Sequence, residues 1–162
     1  LDSVDAALRE LAQHTLPRGE RMFLLERMPR LRGAVPQTIR QGYLPGSTIM
    51  ERVQRVESGA GFEFTRSVWA NGKTRVDEAT SDRVFKRLYA LTRGRRVRKQ
   101  RFTVEDSGLS WRIDRFRDRK LVLARVDWLP QGELLVLPSW LKRHLVREVT
   151  GEAEFRAKNL AR

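Results

Sequence analysis

Charged residues alternate with apolar ones along the short segment 121–128, a pattern typical of a β-strand. Arg125 and Asp127 share one face of such a strand. The opposite face is apolar and consists of Val122, Ala124, Val126 and Trp128. In a second segment, Lys99 and Arg101 likewise fall on one face. If several such strands closed into a barrel with their charged faces inward, the lumen would be a polar tunnel suited to charged ligands.

The composition predicts a single folded domain and makes anions its natural partners. The chain has 162 residues, 40% of them hydrophobic, and its 33 Lys and Arg against 20 Asp and Glu give a net charge of +13. Phosphate-rich ligands, nucleic acid and anionic surfaces are the partners that such a charge favours. The absence of cysteine excludes disulfides and thiolate sites. No apolar run reaches the ~18 residues of a membrane span. We therefore expect a soluble, cytoplasmic protein without membrane contact.

Periodicity and turn residues predict an α+β domain dominated by antiparallel sheet. Strands are expected over 20–25, 38–44, 48–56, 61–68, 97–104, 109–116 and 121–128. Helices are expected over 3–14, 81–91, 139–148 and 152–161. The chain thus divides into an N-terminal helical extension, 1–16, and a main domain, 17–162.

Several short motifs, taken in order, carry a family resemblance. They are ERMFL at 20–24, IRQGYL at 39–44, VRKQR at 97–101, WRIDRF at 111–116, ARVD at 124–127, LPSWL at 137–141, EVTG at 148–151 and NLA at 159–161. In order and spacing they resemble the CYTH domain, the triphosphate tunnel metalloenzyme family, over nearly the whole chain after the first helix. The resemblance implies an eight-stranded antiparallel β tunnel flanked by helices. In that family, basic residues hold a triphosphate and carboxylates hold a divalent metal.

The chain departs from the family pattern at the metal-binding acids. The first acid of the family's E-x-E-x-K motif aligns with Arg18, and the first acid of its A-E-x-E motif aligns with Arg125. The acids that remain for Mg or Mn are Glu20, Asp127 and Glu148, with Asp77 as an additional candidate. A guanidinium about 4 Å from a divalent ion would cost roughly 8 kcal/mol at an effective dielectric constant of about 20. The sequence therefore argues against ordinary two-metal triphosphatase activity.

The basic half of the family's site is better preserved. The residues expected to bind an anion are Arg18, Arg52, Lys99, Arg101 and Arg125. Arg18 and Arg125 have an alternative interpretation, in which they pair with Glu20 and Asp127 and only stabilise the barrel.

Three functions remain open from the sequence. The first is binding of a polyphosphate-type anion (inorganic triphosphate, a nucleoside triphosphate or a short polyphosphate) with weak or no metal-dependent hydrolysis. The second is an active triphosphatase that depends on a divalent metal. The third is a basic module that binds nucleic acid or a larger assembly and uses the tunnel fold as a scaffold, for which the cluster RGRRVRK at 93–99 is the best support.

Overall fold

The computed structural model describes residues 19–46, 48–70, 73–128 and 134–162. The helix predicted over 3–14 and the candidate residue Arg18 lie outside these ranges. Among the described residues, no helix is long and apolar enough to cross a membrane.

Nine strands and three short helices make up the described chain. The strands are β1 (Gly19–Leu25), β2 (Gln37–Leu44), β3 (Ile49–Ser58), β4 (Gly61–Ala70), β5 (Lys73–Ala79), β6 (Arg96–Asp106), β7 (Leu109–Phe116), β8 (Val122–Trp128) and β9 (Leu145–Glu148). The helices are α1 (Asp82–Tyr89), α2 (Ser139–Lys142) and α3 (Ala157–Leu160), with 3₁₀ turns at Ala90–Thr92 and Ala153–Phe155.

All nine strands belong to one antiparallel sheet with the order β5-β4-β3-β2-β6-β7-β8-β1-β9. The sheet is strongly curled, and in the described chain it remains open between the edge strands β5 and β9. This confirms the α+β, antiparallel tunnel-type fold. The periodicity predicted seven strands, and the structure adds two more. Lys73–Ala79 pairs with β4 as an edge strand, and Leu145–Glu148, which was predicted as part of a helix over 139–148, pairs with β1 because that helix ends at Lys142.

The two faces of the curled sheet have separate apolar cores. The outer face of β1, β7 and β8 packs under α2. The buried residues of this core are Phe23, Leu25, Trp111, Ile113, Val122, Ala124 and Val126 from the strands and Leu141 from α2. The inner face is apolar at one end, where Tyr43, Val97, Phe116 and Leu123 of the strands are buried together with Val149, just after β9, and Leu160 of α3. The alternation predicted for 121–128 therefore separates an apolar outer face from an inner face that also carries charge.

Helix α1 covers part of the outer face of β2, β3 and β4. The Ser81 hydroxyl caps the helix by accepting a hydrogen bond from the Val84 N–H at 3.2 Å. Phe85 is buried, and its ring centroid lies 5.6 Å from that of Phe64 on β4. Because α1 covers this side, the inner faces of the same strands are left to form the concave surface.

Candidate functional site

Strand register brings charged residues together on the inner face of β6, β7, β8 and β1. Arg101 lies opposite Asp114, and Glu20 lies opposite Asp127. Since directly opposite residues point to the same side of a sheet, the alternating charges of four strands meet on one surface. The interior predicted from the alternation is therefore polar at this end.

Asp114 is the centre of this cluster. Its carboxylate is fully buried and accepts two hydrogen bonds from Arg101, at 2.7 Å from Nε and 2.9 Å from Nη2. The Lys99 Nζ lies 2.9 Å from Asp114 Oδ2, and Arg125 Nε lies 3.6 Å from the same oxygen. Three cations thus surround one carboxylate, so the cluster keeps an excess of positive charge.

The pKa values of Lys99 and Asp114 reflect this excess of positive charge. Burial lowers the pKa of Lys99 to about 7; the charges of Arg125 and Arg101 act in the same direction, and Asp114 opposes them. Burial by itself would raise the pKa of Asp114. The Arg101 hydrogen bonds and the neighbouring positive charges outweigh burial and hold that pKa well below its ordinary range. Asp114 therefore stays ionised, whereas Lys99 can lose its proton near neutral pH.

Glu20 and Asp127 are held by arginines. Arg112 Nη2 donates to Glu20 Oε2 and to Asp127 Oδ1, each at 3.0 Å, and Arg125 Nη1 lies 3.4 Å from Glu20 Oε1. Within the described ranges, no group of three or more His, Asp or Glu side chains is placed to hold a metal ion. Arg112 bridges Glu20 and Asp127, so a divalent cation would have to displace this guanidinium to bind both carboxylates.

Arg125 retains hydrogen-bonding capacity that the described protein atoms do not use. Its Nε and Nη2 atoms are buried and have no hydrogen-bond partner among the residues that the structure describes, since 3.6 Å to Asp114 is too long for a hydrogen bond. A buried donor without an acceptor costs about 1–3 kcal/mol, and more when it is charged. An anionic oxygen placed beside Arg125 would remove that cost.

Arg52 lies on the inner face of β3 and has a similar unsatisfied donor. Its Nε is buried and has no hydrogen-bond partner within the described ranges, and its guanidinium carbon lies 4.9 Å from the centroid of the Trp69 ring. Burial raises the pKa of Tyr43, while the charges of both Arg52 and Arg125 oppose that rise. The register of β2 and β3 places Arg52 directly opposite Tyr43.

A cavity of about 610 Å³ opens beside Arg52. Its walls include Tyr43 and Trp69 from the sheet and Arg156 and Lys158 from the C-terminal segment. The C-terminal segment thus adds positive charge at one mouth of the inner surface.

The structure does not bring Glu148 to the other two candidate metal ligands. Glu148 lies opposite Phe23, on the outer face, and accepts hydrogen bonds from Arg21 Nε at 2.8 Å and Nη2 at 2.9 Å. The Arg21 hydrogen bonds lower the pKa of Glu148. Asp77 does lie on the inner face, but at the far edge of the sheet, where it accepts a 2.8 Å hydrogen bond from the Ser67 hydroxyl.

Sequence reasoning missed two residues of the charged cluster, Arg112 and Asp114. The signal was present in the segment 111–116, where Arg112 and Asp114 alternate with the buried Trp111 and Ile113. This is the same period-2 alternation that places Lys99 and Arg101 on one face, and it places Arg112 and Asp114 on one face of their strand as well.

Two solved structures resemble this chain. One is described as the hypothetical protein NE1496 and the other as the inorganic triphosphatase NE1496. Each is 26% identical to this chain with a TM-score of 0.69; the match covers 88% of this chain and 95% and 92%, respectively, of the two solved chains. No family model matches the sequence, and no curated protein matches it. The solved structures support the CYTH-type tunnel fold.

Proposed function

We propose that the inner face of the sheet binds a polyphosphate-type anion, with weak or no metal-dependent hydrolysis. The ligand class is inorganic triphosphate, a nucleoside triphosphate or a short polyphosphate. The observation that carries the proposal is Arg125, whose buried Nε and Nη2 have no acceptor among the described atoms although the side chain already contacts Glu20 and Asp114.

The cations around Arg125 fit a ligand with several phosphate groups. Lys99 and Arg101 pair with Asp114 beside Arg125, and Arg52 lies on the inner face of β3, opposite Tyr43 of β2. Guanidinium groups bind phosphate oxygens through two parallel hydrogen bonds, which gives both affinity and orientation. The similarity to a protein described as an inorganic triphosphatase supports triphosphate as the class of ligand.

The proposal that binding does not require a metal rests on the ion pairs that Glu20 and Asp127 already form with arginines. Arg112 and Arg125 already neutralise Glu20 and Asp127, so arginine would supply the positive charge that a divalent ion otherwise provides. Binding is therefore expected to survive chelation of divalent metals.

An active triphosphatase is the second candidate. It is favoured by the description of the structural neighbour as an inorganic triphosphatase and by the position of Glu20 directly opposite Asp127 on the inner face. This candidate predicts phosphate release from tripolyphosphate that requires Mg and disappears in Glu20→Gln. Release no faster than in a protein-free control, with and without Mg, would leave binding as the function.

Calorimetric titration with tripolyphosphate at constant ionic strength tests the proposed binding. Wild-type protein should bind in the presence of a chelator, and Arg125→Gln should weaken binding at least about tenfold, because a charge-assisted contact is worth about 1.5–3 kcal/mol. Arg147→Gln makes the same change in net charge at a residue paired with Glu152 and Glu154 outside this site, and it should bind like the wild type. Binding that appears only with Mg, or an equal loss in both variants, would contradict the proposal.

A further inference from the structure

Arginines on the outer face of the sheet stand in direct register across neighbouring strands. Arg40 on β2 lies opposite Arg55 on β3 and opposite Arg98 on β6. Arg117, just after β7, donates its backbone N–H to the Arg98 carbonyl at 2.9 Å and continues the series. Because neighbouring strands are about 4.8 Å apart, the first three positions span about 10 Å. We call these four residues the arginine row.

The arginine row lacks the carboxylates that accompany other arginines on this face. Arg66 on β4 is paired with both Glu51 and Glu78. In the part of the chain that the structure describes, no carboxylate forms an ion pair with any member of the arginine row. Like charges directly opposite each other destabilise a sheet. A bound chain of anions would relieve this repulsion.

A polar cavity of about 290 Å³ adjoins the middle of the arginine row. Its walls include Arg40 and Arg98 together with Arg96, whose guanidinium stacks 4.0 Å from the centroid of the Tyr89 ring. Asp118 also lines this cavity, but Arg119 already pairs with it at 3.0 Å. The surface is therefore concave as well as basic, which allows an anion to contact several guanidinium groups at once.

An exposed aromatic ring lies at the Arg55 end of the arginine row. Phe62 is 56% exposed, and the Arg55 guanidinium carbon lies 5.4 Å from the centroid of its ring. Neither an inorganic polyphosphate nor an acidic peptide needs such a ring. A nucleobase does, because bases stack on aromatic side chains next to basic grooves that follow the backbone.

We infer that this outer face binds single-stranded nucleic acid. The sugar–phosphate backbone follows the arginine row, and a base stacks against Phe62. A line of arginines fits an extended chain of repeated charges better than a compact anion, and the net charge of +13 attracts such a chain over long range. This surface is independent of the inner face, since Arg98 and the inner-face Lys99 are consecutive residues of β6 and point to opposite sides.

Fluorescence anisotropy with a labelled oligothymidylate of about 12 nucleotides tests this inference. The double variant Arg40→Gln/Arg98→Gln should weaken binding about tenfold and lower the slope of log K against log salt by about 1.4, since each phosphate contact of a single strand contributes about 0.7. The matched control Arg66→Gln/Arg147→Gln removes the same charge from arginines that have carboxylate partners, and it should bind like the wild type. Equal losses in the two double variants would overturn the inference.

A second experiment, with Phe62→Ala, distinguishes nucleic acid from other anions as the ligand of the arginine row. Phe62→Ala should weaken oligothymidylate binding roughly tenfold, the effect of losing one stacked base, and should leave binding of long-chain inorganic polyphosphate unchanged. Unchanged oligothymidylate binding in Phe62→Ala would overturn the assignment to nucleic acid.

The independence of the two surfaces has its own test. Because the arginine row lies outside the inner face, the Arg40→Gln/Arg98→Gln variant should retain its calorimetric response to tripolyphosphate. Loss of that response would mean that the two surfaces are not separate.

Discussion

Lys99 and Asp114 form an ion pair at the most buried point of the inner face, with exposed fractions of 1% and 0%. Removing two such charges from water is expensive, and their mutual attraction offsets the cost only when further hydrogen bonds satisfy them. Asp114 has those bonds, from Arg101. Lys99 instead faces the repulsion of Arg101 and Arg125. The lysine is therefore the member of the pair whose charge is least well stabilised.

The stability of the protein should increase above neutral pH because of Lys99. Its pKa is lowered from 10.5 to about 7 on folding, so above pH 7 the unfolded chain holds a proton that the folded protein has lost. The free energy of unfolding then rises with pH, by up to about 1.4 kcal/mol per unit from this one group. Urea unfolding of wild type and Lys99→Met between about pH 6.5 and about pH 9 should show the difference between them growing in favour of the wild type.

Lys86, which is 71% exposed and pairs with Asp82, provides the control for that experiment. Lys86→Met should differ from the wild type by an amount that does not change over the same pH range. A constant difference for Lys99→Met as well would contradict the assignment of the titration to Lys99.

Packing between β2 and the 3₁₀ turn Ala90–Thr92 depends on a glycine in the segment 39–44. A Cβ atom on Gly42 would lie 2.5 Å from Thr92 Oγ1 and 2.9 Å from Thr92 Cβ. Thr92 cannot move away easily, because it is fully buried, donates to the Tyr89 carbonyl at 2.6 Å and accepts from Arg96 Nε at 3.1 Å. Gly42 thus allows α1 and its 3₁₀ extension to cover the outer face.

Gly42→Ala should destabilise the protein by about 1–3 kcal/mol, the usual cost of overpacking. Gly59→Ala is the matched control: a Cβ at Gly59 meets no atom within 4 Å, and its φ angle is not positive. Chemical denaturation should therefore show a shift smaller than about 0.5 kcal/mol for Gly59→Ala. Similar unfolding midpoints for the two variants would mean that the turn moves aside without cost.

At the scale of the whole molecule, lysine and arginine outnumber the carboxylates available to pair with them. The net charge is +13, and many of the pairs in the described chain are exposed, where each contributes about 0–1 kcal/mol. A large net charge destabilises the compact state through self-repulsion. The arginine row, which has no carboxylate partner in the described part of the chain, is one region where such repulsion acts.

Added salt should therefore stabilise the protein. Raising NaCl from about 0.01 M to about 0.1 M shortens the Debye length from about 30 Å to about 10 Å, which screens repulsion between the two surfaces. We expect the Tm at neutral pH to rise by roughly 2–4 °C, which corresponds to about 1 kcal/mol for a chain of this size. A lower Tm at the higher salt concentration would show that attractive ion pairs outweigh the net repulsion.

The sequence by itself determined the features that depend on local pattern. Period-2 alternation places a side chain on one face of its strand whatever the strand pairs with, so the polar inner face at Lys99, Arg101 and Arg125 could be predicted. The order of the short motifs was sufficient for the fold class, because it reports the succession of strands and turns along the chain.

Only the tertiary structure decided which charges meet. Arg112 selects Glu20 and Asp127 as partners because β7, β8 and β1 are adjacent in the sheet, and sequence separation does not reveal that adjacency. Glu148 lies away from them because β9 pairs with β1 in a register that points this residue outward, and a shift of one residue would have reversed its face. Pairing, register and curl arise from contacts between distant parts of the chain, and these contacts leave Arg125 with unsatisfied donors on the inner face.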